Sequence, residues 1–352
     1  METGAKPSGI AVIITVYNKE AFLRDAIESV LTQRLGTSIT NSTSAQQTSI
    51  QQTFSIILCD DGSTDKSRDI CAEYAARYSS VYDITDGVHR GVVGNFLHCL
   101  EFALSLNVQY VSQLDSDDIL ADPDFITRQT AFLDSRHDAQ AACSKFFMIG
   151  EKDTLKDARK IFSGSIMTGE DVVAYYHDLN ITPEVLLTKN NTLVAGGVTY
   201  RADHLREYLD TFASKEDATQ DLPLWLFLSQ KGSFCGTDIQ SLAYRNMTES
   251  VSRSEDIETQ LKFQRASLST RLRFIDYLKS QVVSSSELLQ PRVLDKLVSK
   301  ANRLYQKKML RHYAKLSPKN YHKQFRQAIK ANPSLLFSRD LWRSIGVYLK
   351  NR

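Results

Sequence analysis

Three carboxylates, Asp115, Asp117 and Asp118, fall within four positions, directly after the run Tyr110-Val111-Ser112-Gln113-Leu114. Clustered carboxylates repel one another unless a cation or hydrogen bonds compensate them. A hard divalent cation prefers oxygen ligands. The chemistry that fits is a Mg²⁺ or Mn²⁺ site holding a phosphate-bearing ligand; an acidic loop that only caps a helix has the same composition. A second candidate is Asp221, which stands just before the apolar run 222–228. A carboxylate there could take a proton from a reacting hydroxyl, or simply cap the helix.

Elements must position these groups. Val and Tyr suit a pleated surface, so 108–114 reads as a buried strand that ends where the acids begin. Asp122-Pro123 then supplies an N-cap and a proline at the first helical position. The carboxylates therefore sit at the carboxyl end of a strand, where open α/β sheets bind ligands.

Earlier in the chain, 10–15 is a continuous apolar run expected of a central parallel strand. Apolar residues at helical spacing follow from Phe22 to about Gln33. The Ser/Thr/Gln/Asn-rich tract 36–53 reads as a solvated loop insertion. A second buried strand, 54–59, runs into the turn Asp60-Asp61-Gly62-Ser63-Thr64-Asp65. A helix, a short strand at 81–84, the loop His89 to Asn95 and a helix from Phe96 complete a β-α-β-α-β-α-β order. That order predicts an α/β fold with a doubly wound, mainly parallel sheet.

Further on, 139–149 reads as a strand, 169–177 as a short helix, and 190–200 as a strand region whose glycine pair permits close approach. Pro223 is tolerated only in a helix's first turn, which puts Asp221 at the amino end of a buried helix. Neither glycine-rich nucleotide fingerprint, Gly-x-Gly-x-x-Gly or Gly-x-x-x-x-Gly-Lys-Ser/Thr, is present.

The chain has 352 residues, 42% hydrophobic and 24% charged, enough for a full core. Five scattered cysteines without a Cys-x-x-Cys suggest free buried thiols in a reducing compartment. No 18-residue apolar run and no signal-peptide layout is seen, so a cytoplasmic protein is expected. The net charge of +2 hides an asymmetry. Residues 261–352 carry 21 Lys and Arg against 4 Asp and Glu, which leaves 22 against 37 for residues 1–260. The expected division is a domain over 1–254 and a basic helical C-terminal region over 255–352. The latter, with Leu and Trp interleaved among Lys and Arg, suits contact with an anionic surface, or pairing of helices into a homo-oligomer.

Five blocks in order resemble a family 2 inverting glycosyltransferase with the GT-A fold, which uses nucleotide sugars. They are Val12-Ile13-Ile14-Thr15-Val16-Tyr17-Asn18; Asp60 to Asp65; His89 to Asn95; Leu114-Asp115-Ser116-Asp117-Asp118; and Gln220-Asp221 before an apolar helix. The resemblance covers roughly 10–255.

It implies that Tyr17 packs on the base and that Asp61 accepts from a uracil ring nitrogen. Asp115 would contact the ribose, Asp117 a metal ion, Mn²⁺ or Mg²⁺, with Asp118 as a second carboxylate. Thr15, Asn18, Asn95 and Ser116 would belong to the donor-nucleotide site, Arg245, Ser250 and Ser252 to a loop over the pyrophosphate. Asp221 would be the catalytic base, with Glu216 and Asp217 as rivals. Implied partners are a nucleotide-sugar donor and a glycan or lipid-linked glycan acceptor; the basic C-terminal region adds contact with the inner, anionic face of the cell membrane, and nucleic acid is not expected.

The chain departs from the family at Met247, where a histidine is frequent, which puts one protein metal ligand in doubt. A sugar nucleotidyltransferase is the competing enzyme class, but 15–18 is not its glycine-rich phosphate loop. A noncatalytic glycan- or membrane-binding module is the third reading; the joint presence of Asp115, Asp117 and Asp221 argues against it.

Overall fold

The computed structural model describes residues 9–35, 37–39, 49–51, 54–163, 181–189, 193–247, 256–281 and 290–351. The helix expected at 169–177, Ser250 and Ser252 lie outside the described residues. The chain forms two compact units. One comprises Met1–Thr182, Thr192–Lys215 and Leu228–Asn246; the other comprises Pro183–Asn191, Glu216–Phe227 and Met247–Arg352.

The first unit is built on an eight-stranded mixed sheet. Its strands are β1 (Ile10–Val16), β4 (Phe54–Asp60), β5 (Val81–Asp83), β6 (Tyr110–Gln113), β7 (Ile119–Leu120), β8 (Ala139–Ile149), β9 (Val198–Arg201) and β10 (Ser233–Arg245), in the order β5-β4-β1-β6-β9-β8-β10-β7. β1 is buried along its whole length apart from half-buried Thr15. It pairs in parallel with β4 on one side and β6 on the other. An uninterrupted apolar run is what a strand with neighbours on both edges and helices on its faces requires. β9 runs antiparallel between β6 and β8, and β7 antiparallel to β10.

The tract 36–53 contains a pair of short antiparallel strands, β2 (Thr37–Ile39) and β3 (Ser49–Gln51), where a plain loop was expected. Polar Ser and Thr side chains do not prevent backbone pairing, and composition alone does not report it.

Helices connect the strands. α1 (Leu23–Leu31) buries Leu23, Ala26, Ile27 and Val30, the apolar stripe visible in its spacing. α2 (Ser67–Arg77) follows β4, and α3 (Gly91–Ser105) begins within the His89 to Asn95 block rather than after it. Gly91 has φ +70°, which a side chain would oppose. α4 (Phe125–Ser135) starts later than Asp122-Pro123 suggested. Asp122 accepts from Asp124 N at 2.9 Å, so its carboxylate closes a turn ahead of the helix instead of capping it. α5 (Leu155–Ser163) and α7 (Leu205–Thr211) complete this unit.

The second unit is helical. It holds α6 (Pro183–Thr188), the start of α8 (Asp221–Ser229), α9 (Ile257–Ser280), α10 (Pro291–Leu316), α11 (Pro318–Ala331) and α12 (Arg339–Asn351). Asp256 caps α9 by accepting from Thr259 N at 2.7 Å. Leu310, Tyr313, Ala314, Tyr321, Leu335, Leu341 and Tyr348 form one core cluster. Within it the Tyr321 and Tyr348 rings stack at 4.6 Å, and their hydroxyls meet Ser344 Oγ and His322 Nε2, each at 2.8 Å. Buried tyrosines need such partners for their polar ends.

All five cysteines are free, and all but Cys235 are buried. Among the described residues no helix is long and apolar enough to cross a membrane.

Candidate active site

The parallel pairing of β4, β1 and β6 brings three strand ends together. Val16 is in register with Asp60, and Ile13 with Gln113. The segments that follow, 17–20, 61–67 and 114–118, therefore emerge along one edge of the sheet. Thr15 is half-buried, and Tyr17 is 50% exposed with its ring 5.8 Å from that of His89.

The first two segments are knitted together. Asn18, at φ +52°, accepts from Thr64 N at 2.8 Å, and its own N–H donates to Ser63 Oγ. Lys19 N donates to Ser67 Oγ, Glu20 N to Asp65 Oδ2, and Lys66 N to Glu20 Oε2. Asp60 accepts from Gly62 N and Ser63 N and shapes the turn. Asn18 thus frames the site with its side chain bonded to Thr64.

Asp61 is buried, with Oδ1 accepting from Arg90 N at 2.6 Å and Oδ2 3.1 Å from His89 Nδ1. Asn95 donates to Cys59 O at 2.8 Å, while its Oδ1 is buried without a partner among the described residues. His89, which the sequence marks only as a loop residue, touches both Tyr17 and Asp61. Its place directly before Arg90 in the glycine-containing block was the signal available.

The third segment divides its carboxylates. Asp115 and Asp117 are partly accessible, Ser116 and Asp118 buried. Lys19 Nζ lies 2.6 Å from Asp117 Oδ2. Asp118 turns inward and accepts from Arg245 N at 2.8 Å; its Oδ2 is buried without a partner among the described residues. Burial, then the charges of Asp117 and Asp115, push the Asp118 carboxyl well above the usual carboxylate range. A Cβ on Gly197 would lie 2.8 Å from Ser144 Oγ and one on Gly196 3.3 Å from Leu242 Cδ1, so the glycine pair lets the turn Ala195–Gly197 pack closely on β8 and β10 beside Asp118.

Arg245, at the end of β10, is the clamp on this loop. Its Nε donates to Asp117 O at 2.7 Å, and its Nη1 to Gly150 O, Glu151 O and Asp153 O. The guanidinium lies 4.8 Å from the Phe22 ring centroid. At 3% exposure it is a buried structural fork. β7 pairing with β10 carries the acidic loop to this arginine.

These donors suit a divalent cation. Mg²⁺ and Mn²⁺ are commonly held by one or two carboxylates with phosphates completing the shell. Asp117 and Asp115 can supply that pair, whereas Asp118 is turned toward a backbone amide. No group of three or more His, Cys, Asp or Glu that could hold a metal occurs among the described residues. A cation on Asp117 Oδ2 must displace Lys19.

Asp221 belongs to the second unit and opens α8. Its Oδ1 accepts from Leu222 N at 2.7 Å. Arg271 of α9 lies within its field: burial lowers that guanidinium to about 10, and the Asp221 charge opposes the shift. Arg271 itself donates to Leu186 O and Ser267 O, each at 3.0 Å. Rival Asp217 is bound by Arg273 at 2.5 Å and Thr270 at 2.6 Å, and Glu216 is exposed. Nothing in the sequence singled out Arg271 or Arg273 among the many basic residues of the C-terminal region.

The model of the family "Glycosyl transferase family 2" matches residues 11–208, more than half of the chain. "Putative glycosyltransferase EpsE" of Bacillus subtilis (strain 168) is 26% identical over 249 residues, 70% of this chain and 74% of that protein. "Minor teichoic acid biosynthesis protein GgaA" of the same strain is 29% identical over 143 residues, 41% of this chain and 29% of that protein. Among solved structures, S. aureus TarS 1-349 in complex with UDP-GlcNAc superposes with a TM-score of 0.52 at 13% identity, covering 98% of this chain and 92% of that one. A longer TarS crystal structure gives 0.54 at 13% identity and 97% coverage; this chain spans 54% of it. The shared architecture is the GT-A fold.

Proposed function

The chain belongs to glycosyl transferase family 2, and from that premise we propose that it moves a sugar from a UDP-sugar to a hydroxyl of a glycan acceptor, with inversion, in the synthesis of a surface polysaccharide. The observation that carries the reading is the convergence of Tyr17, Asp61, Asp115 and Asp117 at the ends of three parallel strands. The teichoic acid protein among the relatives and the UDP-GlcNAc complex among the fold neighbours agree with it.

In this reading Tyr17 and His89 flank the base, and Asp61 accepts from its ring N–H through the oxygen that Arg90 does not hold. Asp115 takes the ribose. Asp117, with Asp115, would hold Mn²⁺ or Mg²⁺, which as a Lewis acid stabilises charge developing on the departing diphosphate. Asp221 takes the proton of the acceptor hydroxyl as it attacks; one base and no protein nucleophile gives inversion, contributing about 10²–10⁴-fold. The positive charge of Arg271 lies within the field of the Asp221 carboxylate. The catalytic domain spans 1–254, and the basic helices of 255–352 hold the enzyme at the inner, anionic face of the cell membrane.

The test is incubation with a panel of nucleotide sugars and Mn²⁺, scored for nucleotide release with and without acceptor. Acceptor-stimulated UDP release is expected. Pyrophosphate release from a sugar phosphate and a nucleoside triphosphate, with no nucleotide diphosphate formed, would overturn it in favour of a nucleotidyltransferase.

A further inference from the structure

The helical unit contains a cavity of about 510 Å³ between α10 and α12. Five cations line it: Lys307, Lys308 and Arg311 from α10, and Arg343 and Lys350 from α12. No acid occurs among the described residues of its lining. Leu304 and Val347 supply apolar wall, and Arg311, Arg343 and Lys350 stand at the exposed mouth. Lys308 is partly buried: burial, with help from Arg271 outside the lining, lowers its ammonium to about 8. Such a cluster is matched by an anion carrying more than one charged or acceptor oxygen.

The rim tells what kind of anion. Trp342 and Leu349 are 62% and 64% exposed. Seven positions apart, they share one face of α12. Arg343, Gly346 and Lys350 form the adjoining strip that lines the cavity. Leu336, 42% exposed, accepts from Trp342 Nε1 at 3.2 Å and holds the indole at the surface. A soluble phosphate would engage the cations and leave this apolar edge in water. A phospholipid at a bilayer surface meets both, with its phosphate among the cations and its glycerol and upper acyl region against Trp and Leu.

We propose that the α10–α12 cavity is a binding site for the phosphate headgroup of an anionic phospholipid, with Trp342 and Leu349 entering the bilayer interface. The proposal rests on the membrane reading of the basic helices and gives that reading an address.

The experiment is flotation of the full chain with vesicles of phosphatidylcholine alone or mixed with phosphatidylglycerol. The cavity variants are Lys308→Gln combined with Arg343→Gln, and Gly346→Glu. A Cβ at Gly346 meets open space, so the glutamate adds an acid to the mouth without a clash and serves if the double variant misfolds. The control is Lys319→Gln, Lys323→Gln and Arg326→Gln on α11, outside the cavity lining. At about fivefold per cation, the double variant should lose about twenty-fivefold in partitioning. Gly346→Glu should lose at least as much, and the α11 variant less than either. Trp342 emission should shift to the blue on anionic vesicles, a shift missing from Trp342→Phe.

Partitioning that the α11 charges control and the cavity variants leave intact overturns the site while the membrane reading stands. No partitioning onto any vesicle overturns both. Tight binding of inorganic phosphate without vesicle partitioning assigns the cavity to a soluble anion and overturns the lipid assignment.

Discussion

Lys19 Nζ and Asp117 Oδ2 stand 2.6 Å apart, so the carboxylate that the strand-end loop offers to a divalent cation already carries a lysine. Ammonium and metal cannot both sit on that oxygen. Removing the ammonium should therefore tighten metal binding. Lys19→Met is expected to lower the Kd for Mn²⁺ about fivefold, the scale of a partly exposed ion pair. Calorimetric titration of Mn²⁺ checks it; an unchanged or raised Kd places the metal elsewhere.

Asp221→Asn keeps the bond from Leu222 N but cannot take a proton. It should lose at least about 10²-fold in kcat while UDP-sugar affinity stays within about twofold. Asp217→Asn makes the contrast. Its carboxylate is held by Arg273 and Thr270, so its removal should cost about 1–2 kcal/mol in stability with a far smaller effect on turnover. Parallel kinetics and urea unfolding separate the two; near-normal turnover in Asp221→Asn would remove it as the base.

Arg245→Met should destabilise the chain by about 3 kcal/mol or more, because it strips donors from the carbonyls of Asp117, Gly150, Glu151 and Asp153. Arg245→Lys should recover little, since an ammonium cannot reproduce the planar fork. Denaturant unfolding of both variants is the measurement.

The Lys308 ammonium, lowered to about 8 in the folded chain, gives stability a pH signature. The unfolded lysine keeps its proton to about 10.4, so between those values the unfolded chain binds more protons and stability rises with pH. Below the folded value the buried charge is present and its cost is complete. Arg271, itself lowered to about 10 by burial, stays charged beside it over the lower part of this range. Lys308→Met should then be more stable than the parent at pH 7, with the gap closing by pH 10. Urea midpoints across that range test the direction.

Strands β1 and β4 were legible because each is a largely apolar run, and the acidic loop because charges cannot continue such a run. The amino end of α8 was legible from Pro223 beside Asp221. What could not be read was set by contacts distant in sequence. Nothing near Arg245 reveals that it serves carbonyls some 90 residues earlier, and nothing near Lys19 reveals Asp117. Asp122-Pro123 shows local chemistry misleading: the same Asx bond that caps a helix also closes a turn ahead of one. Segments 183–191 and 216–227 join the helical unit through tertiary packing that composition does not encode.

The bonds that knit Asn18, Lys19 and Glu20 to Ser63, Thr64, Asp65 and Ser67 have a genetic consequence. In each of these bonds a side chain on one loop completes a backbone group on the other. A substitution at either end therefore leaves its partner incomplete, and its cost depends on what stands 45 or so positions away. Change in this part of the chain should be epistatic: tolerated in pairs, purged singly, and misjudged by any scan that alters one residue at a time.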